Sequence, residues 1–304
     1  MFSCLFFLPV SERNIQITLS WIQIPVTKNI HLKNFQQKIV VITGAGSGMG
    51  RSLAVQLAQM GATVLISDKN EAGLSETKRR IDTDKGKCKT YQVDVGDKQQ
   101  IDVFSKQVLA EFGYIDVLIN NAGMAIGEAT LNEIPLADFE RLINVNLWGV
   151  IHHTKAFLDI LISRPEAAIV NTSSVFGLMG IPSQIPYCVS KYAVRGFTES
   201  LRLELTKTNV AVTCVHPGGI DTDIAKNGIH YKNKDKAVEH FKTMVITSSD
   251  KAASIIIKAI QKKSKRVMVG PDAKIIRFIT QAAPNLMDGF ILKKKDELER
   301  AQAN

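Results

Sequence analysis

Short apolar, β-branched runs alternate with longer amphipathic stretches from Lys38 onward. Runs of about four to eight such residues are typical of buried strands, whereas apolar residues three and four apart are typical of helices. The pattern predicts strands at 39–43, 63–67, 90–93, 117–120, 168–172, 210–215 and 266–269. It predicts helices near 48–60, 70–82, 97–112, 136–162, 186–207 and 249–262. Because helices long enough to cross back over a sheet separate the strands, we expect a doubly wound parallel α/β sheet of about seven strands, with helices on both faces, in a single domain.

Three segments fall outside this alternation. Residues 1–37 show no clear period and contain Pro9 and Pro25, which predicts a poorly ordered N-terminal appendage. Residues 218–244 are rich in Lys, Asn, Gly and His and are predicted to be irregular, as active-site lids often are. Residues 271–304 are predicted to form a basic helical tail.

Composition limits the class of protein. A chain of 304 residues that is 45% hydrophobic and 22% charged has the profile of a globular protein with a large core. The four cysteines stand far apart, which favours a reduced, cytoplasmic setting without a metal site. No uninterrupted apolar stretch is long enough to predict a membrane-spanning helix.

The net charge of +9 is a property of the C-terminal part of the chain. Residues 1–225 carry 21 basic and 21 acidic side chains, whereas residues 226–304 carry 17 and 8. This excess favours either an anionic substrate or membrane surface, or simply a solvated surface. We expect no nucleic-acid partner, because no aromatic side chains stand between Lys262 and Arg266 to stack on bases.

A glycine-rich turn follows the first predicted strand and leads into a helix. It reads Thr-Gly-Ala-Gly-Ser-Gly-Met-Gly from Thr43 to Gly50. Glycines let the backbone approach a pyrophosphate closely, and the helix N-terminus supplies free N–H groups and a positive dipole end. The order strand, turn, helix therefore predicts a dinucleotide site.

Asp68 ends the second predicted strand, 24 residues after Gly44. A carboxylate there would accept hydrogen bonds from the adenosine ribose hydroxyls and would repel the additional phosphate of NADP. NAD is therefore the expected cofactor. NADP remains the alternative because Lys69 could tolerate that phosphate, although Ser47 offers no second positive charge.

Tyr187 and Lys191 are four residues apart and would share one face of a helix. A free phenol, with a pKa of about 10, is a poor base at neutral pH. A nearby ammonium, helped by a positive nicotinamide ring, would lower that pKa and favour phenolate.

Together these motifs resemble those of the short-chain dehydrogenases/reductases, a family with the Rossmann-type fold. The resemblance covers residues 38–270, which we interpret as the dinucleotide-binding catalytic domain, with 218–244 as its lid. Besides the glycine turn and the Tyr187/Lys191 pair, the motifs in family order are Asn120-Asn121-Ala122-Gly123, Asn146-Leu147-Trp148-Gly149, Asn171-Thr172-Ser173-Ser174 and Pro217-Gly218.

The resemblance implies a catalytic set. Tyr187 would be the general acid/base, and Ser174 would hydrogen-bond the substrate oxygen as charge develops on it. Lys191 would lower the tyrosine pKa and bind the nicotinamide ribose. Asn146 would hold a water molecule that passes protons toward bulk solvent.

The resemblance also implies positions that contact the cofactor. Asn121 and Gly123 would lie beside the adenosine ribose, with a structural role at least as strongly expected. The backbone after Pro217 would lie beside the carboxamide, and Thr222 would contact the cofactor through its hydroxyl. The full expected set is Gly44, Ser47, Gly48, Met49, Gly50, Asp68, Asp94, Val95, Asn121, Ala122, Gly123, Tyr187, Lys191, Pro217, Gly218, Ile220 and Thr222.

The resulting hypothesis is an NAD-dependent oxidoreductase that transfers a hydride between nicotinamide and an alcohol/carbonyl substrate. Met124, Phe176, Leu178, Met179 and Ile181 favour an apolar small-molecule substrate. One alternative is a reductase of a long-chain fatty aldehyde or acyl thioester at a membrane surface. Another is a non-catalytic cofactor-binding scaffold. Family members are usually dimers or tetramers built on the helices that correspond here to 136–162 and 186–207, so the resemblance implies a homo-oligomer.

Overall fold

The computed structural model describes residues 34–303, and the side chains of residues 34–293. The predicted appendage at 1–37 therefore lies almost wholly outside the described residues. Of the part that is described, Phe35 is fully buried. The domain core thus begins just before the first strand.

Seven parallel strands form one sheet in the described residues. Their order across the sheet is β3-β2-β1-β4-β5-β6-β7, so the strand order reverses between β1 and β4. In open α/β sheets, ligands bind at the carboxyl ends of the strands beside such a reversal. The strands are β1 (Ile39–Thr43), β2 (Thr63–Asp68), β3 (Lys87–Gln92), β4 (Val117–Asn120), β5 (Ala167–Thr172), β6 (Val210–Pro217) and β7 (Arg266–Val269).

Helices cover both faces of the sheet. They are α1 (Gly48–Gln59), α2 (Glu71–Thr83), α3 (Lys98–Phe112), α4 (Leu136–Ile143), α5 (Gly149–Ser163), α6 (Ile185–Glu204), α7 (Lys234–Thr243), α8 (Ser249–Gln261), α9 (Pro271–Ala282) and α10 (Pro284–Ala303). Alternate residues of β1 enter opposite core layers: Val40 and Ile42 face α1 and α8, while Val41 packs with residues of α3 and α5. This two-sided burial explains the continuous apolar runs in the sequence.

Four elements differ from the sequence-based predictions. The strand predicted at 90–93 begins at Lys87, and the segment 218–244, predicted to be irregular, contains helix α7. The helix predicted at 136–162 is interrupted by a π-helical segment at Asn144–Trp148. The tail predicted at 271–304 contains α9 and α10, but it is not markedly basic: it carries six basic and five acidic residues, and residues 226–270 carry eleven and three.

No helix in the described part of the chain combines the length and apolarity that crossing a membrane requires.

Candidate active site

The glycine turn between β1 and α1 has the backbone geometry that a dinucleotide site needs. Gly44 and Gly48 have φ angles of 66° and 49°, a region that favours glycine. A Cβ on Gly50 would overlap the carbonyl oxygen of Gly44. Ser47 is the extended N-cap of α1, and its side chain makes no capping hydrogen bond to any described residue. The first N–H groups of α1 are therefore available to a phosphate, and the turn fits a dinucleotide.

Asp68 is fixed at the carboxyl end of β2. One carboxylate oxygen accepts a hydrogen bond from the Gly46 N–H at 2.9 Å, and the other accepts one from the Asn70 N–H at 3.0 Å. A Cβ on Gly46 would lie only 2.9 Å from the carboxyl carbon. Gly46 thus makes room for the carboxylate that is expected to bind ribose.

Arg51 braces the same turn, a role that the sequence did not reveal. Its guanidinium donates to the carbonyl of Gly46 and, through Nε, to Thr77 Oγ1 at 2.9 Å. Burial lowers its pKa, and nearby carboxylates oppose that effect. An arginine in the first turns of a helix looks in sequence like an ordinary surface residue.

Asn121 and Ala122 tie the end of β4 to the glycine turn. The Asn121 side-chain amide donates to the carbonyls of Thr43 and Gly44, both at 3.1 Å. The Ala122 N–H donates to Thr43 Oγ1 at 3.0 Å. The side chain of Asn121 therefore acts structurally, which is the role the sequence analysis weighed against binding.

Asp94 and Val95 follow β3 at the same edge of the sheet. The Asp94 carboxylate accepts a hydrogen bond from the Gly96 N–H at 2.8 Å, which closes a tight turn. Val95 is buried against Gly149, where a Cβ would lie 2.7 Å from the Val95 carbonyl oxygen. The resemblance implies that these two positions contact adenine, which stays a prediction.

The segment after β6 approaches the glycine turn from the other half of the sheet. Gly218 N–H donates to the Val269 carbonyl of β7 at 3.0 Å. Ile220 is buried and forms an isolated bridge with Thr247. Thr222 lies so close to Gly48 that a Cβ there would be 3.0 Å from its Cγ2. The segment thus closes over the turn.

Ser174, Tyr187 and Lys191 come together at the ends of β5 and α6. The Ser174 hydroxyl lies near enough to the Tyr187 phenol to lower its pKa. The Lys191 ammonium lies 5.5 Å from the centroid of the Tyr187 ring and donates to the Thr172 carbonyl at 3.1 Å. Lys191 is only 2% exposed. The arrangement places a hydroxyl, a phenol and a cation around one point.

Burial has the largest effect on the pKa values of Tyr187 and Lys191. It raises the pKa of Tyr187 to about 12, and the nearby Ser174 hydroxyl only partly opposes it. Burial also lowers the pKa of Lys191 to about 8. The expectation that Lys191 and a positive nicotinamide ring together lower the phenol pKa stays a prediction. Both shifts caused by burial favour the neutral form of the side chain.

Asn146 lies in the π-helical segment and is fully buried. Its amide accepts from the Met124 N–H at 2.8 Å and donates to the Met124 carbonyl at 3.0 Å and to Ser190 Oγ at 3.2 Å. The side chain is therefore engaged in fixing the loop after β4. At Gly123 in that loop, a Cβ would lie 3.4 Å from Lys191 Nζ.

The lid predicted at 218–244 is attached to the loop after β4. Ile229 pairs with Ile126, and His230 Nδ1 lies 3.1 Å from Asp138 Oδ2. Lys232 forms an ion pair with Glu133 at 2.8 Å. Tyr231 lies close enough to Tyr187 to contribute to its raised pKa. The segment 218–244 therefore packs against the loop after β4 and the start of α4.

Two histidines are buried in the described part of the chain. His153 is fully buried in α5, with Nδ1 2.8 Å from the Gly149 carbonyl. His216 Nδ1 lies 3.1 Å from the Ser174 carbonyl. Among the described residues, no His, Cys, Asp and Glu side chains form a cluster that could hold a metal ion.

Comparison with known proteins agrees with this geometry. The family model described as short chain dehydrogenase matches residues 38–233. SadH of Mycobacterium tuberculosis, which is named as an oxidoreductase, is 39% identical over 250 residues, covering 81% of this chain and 90% of SadH. The 3-oxoacyl-acyl-carrier-protein reductase FabG of Thermotoga maritima is 32% identical over 242 residues, covering 79% and 98% of the two chains.

Solved structures of similar fold carry either nicotinamide cofactor. A short-chain dehydrogenase/reductase from Burkholderia phymatum in complex with NAD superposes with a TM-score of 0.77 at 27% identity, covering 84% of this chain and 96% of that one. A metagenomic short-chain oxidoreductase in complex with NADP gives 0.66 at 25% identity, covering 77% and 97%. The chain therefore belongs to the short-chain dehydrogenase/reductase family and is an oxidoreductase whose cofactor is NAD or NADP.

Proposed function

We propose that this protein interconverts an apolar alcohol and its carbonyl compound, with NAD as the preferred cofactor and Tyr187 as the general acid/base. The observation that carries the proposal is the buried ammonium of Lys191, which lies 5.5 Å from the centroid of the Tyr187 ring, with Ser174 close by. The bound cofactor supplies the hydride in reduction and accepts it in oxidation.

The residues of the chain divide the proton chemistry among them. In reduction, Tyr187 donates its phenolic proton to the carbonyl oxygen, and the Ser174 hydroxyl stabilises the charge that develops there. Lys191, whose pKa is lowered to about 8, stabilises the phenolate that remains. Asn146 fixes the loop that packs against this group, a positioning role.

Apolar side chains surround the phenol and support an apolar substrate. Phe176 packs edge-on against Tyr187 with ring centroids 5.8 Å apart. Met124 and Ile229 belong to the same apolar cluster as Tyr187. Leu178 and Met179 are partly buried against a cluster that includes Ala273 of α9.

A panel of aldehydes, ketones and alcohols of increasing chain length tests the proposal, with nicotinamide absorbance as the readout and NADH and NADPH compared. We expect turnover that rises with chain length and is faster with NADH. Cofactor binding without turnover on any member would instead favour the non-catalytic scaffold.

Charge supports a second candidate, an acyl thioester or long-chain fatty aldehyde taken from a membrane surface. Residues 226–270 carry eight net positive charges, and Lys234, Lys236 and Lys242 are exposed on α7 of the lid. Replacing these three lysines by Gln should then lower kcat/KM for a 3-oxoacyl thioester of coenzyme A and spare the free ketone of equal chain length. Equal effects on both substrates would count against this candidate.

We further propose that the protein works as a homodimer or homotetramer. Exposed apolar side chains lie on the two helical segments that the family uses for assembly, including Trp148 at 46%, Val189 at 45% and Leu203 at 72% exposed. Light scattering after size exclusion should give a mass of two or four chains, and a monomer at micromolar concentration would contradict the proposal.

A further inference from the structure

A carboxylate from helix α9 is inserted beneath the backbone that follows β6. Asp272 Oδ2 accepts a hydrogen bond from the Gly219 N–H at 2.7 Å. A Cβ on Gly218 would overlap the same carboxylate, and a Cβ on Gly270, whose φ is 107°, would overlap its other oxygen. Glycines on both sides thus make room for this side chain.

The Gly219 carbonyl is fixed as well. It accepts hydrogen bonds from the N–H groups of Ile246 and Thr247 at 2.9 and 3.1 Å. The Gly218 N–H is held by Val269. Asp272 completes this set, so the backbone from Gly218 to Gly219 is bound to β7, to the segment before α8 and to α9.

Stabilisation of helix α9 does not explain the hydrogen bond between Asp272 and Gly219. Asp272 lies in the first turn, where an acidic side chain already stabilises the helix dipole while facing water. Here the carboxylate turns inward instead, and among the described residues its Oδ1 is buried without a hydrogen-bond partner. A buried polar atom left unpartnered in this way calls for a reason other than stability.

We propose that Asp272 is a positioning residue for the nicotinamide half of the cofactor. It fixes the Gly219 peptide, and through it the segment from Pro217 to Thr222 that is expected to face the carboxamide. This inference rests on the proposed cofactor site. It predicts that loss of the Asp272 carboxylate weakens only the binding of the nicotinamide end of the cofactor. The adenosine end, held by the glycine turn and Asp68, lies on the other half of the sheet and stays intact.

Calorimetric titration with NAD and with ADP-ribose separates the two ends, because ADP-ribose lacks the nicotinamide. We expect Asp272→Ala to weaken NAD binding about tenfold or more, the effect of losing one hydrogen bond to a charged group, and to leave ADP-ribose binding unchanged. Asp272→Asn, which keeps an oxygen acceptor for Gly219, should recover most of the NAD affinity. Asp288→Ala, an exposed acidic residue of α10, is the matched control.

The outcomes distinguish this inference from the proposed function. Wild-type protein that binds neither NAD nor NADP would overturn the cofactor site itself. Asp272→Ala protein that binds NAD as the wild type does, or that loses NAD and ADP-ribose affinity equally, would overturn the positioning role. An Asp272→Asn variant as weak as Asp272→Ala would also overturn it, because the acceptor for Gly219 would then be irrelevant.

Discussion

The chemistry of the site depends on how deeply its ionisable side chains are buried. Desolvation raises the pKa of Tyr187 and lowers the pKa of Lys191, so it favours the neutral form of each side chain. A neutral phenol suits the reduction of a carbonyl, because the proton to be donated is already in place. Oxidation needs phenolate, which the positive nicotinamide ring would favour as an additional nearby cation.

The motif residues of the site could be predicted from the sequence, whereas the contacts that hold them in place could not. The spacing of Tyr187 and Lys191 is visible in the sequence because both lie on one helix. Arg51 and Asp272 carry no such signal, because their partners Gly46 and Gly219 become neighbours only after folding. Burial, which decides the pKa of Tyr187, is likewise a property of the fold.

The first prediction concerns Asp68 and cofactor preference. Asp68→Ala should reduce the ratio of kcat/KM for NAD over NADP about tenfold, because it removes an acceptor for ribose hydroxyls and a repulsive charge. Asp68→Asn keeps an oxygen acceptor for the Gly46 N–H but removes the negative charge, so it measures the effect of the charge alone. Steady-state kinetics with both cofactors measure the ratio, and a wild-type enzyme that already prefers NADP would refute the prediction and direct attention to Lys69.

Strands and helices that bury one or both faces have an apolar pattern in the sequence and could be predicted from it. Elements without a buried face could not. Strands β1 and β4 are buried on both faces and have the predicted bounds. The edge strand β3 begins in Lys87, Cys88 and Lys89, where exposure removes the apolar signal. Helix α7 has no buried residue and therefore no apolar stripe. The π-helical segment lies inside a stretch that the apolar pattern predicts as one continuous helix.

A pair of glycine substitutions tests the junction of β1 and α1. Gly50→Ala should destabilise the protein and abolish NAD binding, because its Cβ would overlap the rigid carbonyl of Gly44. Gly289→Ala lies in α10, where a Cβ meets nothing within 4 Å, and should stabilise by about 0.5–1 kcal/mol. Thermal unfolding with and without NAD measures both. A Gly50→Ala protein that binds NAD as tightly as wild type would show that the tight junction is not needed.

The two buried histidines make the stability of the whole molecule depend on pH. Burial lowers the pKa of His153 and of His216 to about 4. Between pH 6.5 and 4 the unfolded chain therefore binds more protons than the folded one, and stability is lost as the pH falls.

Urea unfolding at pH 7 and pH 5 tests this linkage. His153→Phe, which keeps an aromatic ring beside Phe104, should remove about 2 kcal/mol of the loss between the two pH values. His152→Phe, at the half-exposed neighbouring position, should leave the loss as in wild type. A His153→Phe protein with the wild-type pH dependence would contradict the assignment.

The described core accounts for a complete domain from Phe35 onward. A chain that begins at Leu32 keeps Phe35 and all seven strands, so we expect it to fold, bind NAD and turn over as the full chain does. Soluble yield, NAD affinity and kcat of the two chains provide the comparison. Loss of any of these in the shorter chain would show that residues 1–31 belong to the working protein.

The kcat of Tyr187→Phe, measured together with its NADH affinity, tests the central claim most directly. Removing only the phenolic oxygen should lower kcat by about 10²–10⁴-fold and leave NADH binding within a few-fold of wild type. Tyr192→Phe, an exposed tyrosine on the same helix, should behave as wild type in both measurements. Turnover by Tyr187→Phe near the wild-type rate would contradict the account, because Tyr187 is the group proposed to donate the proton.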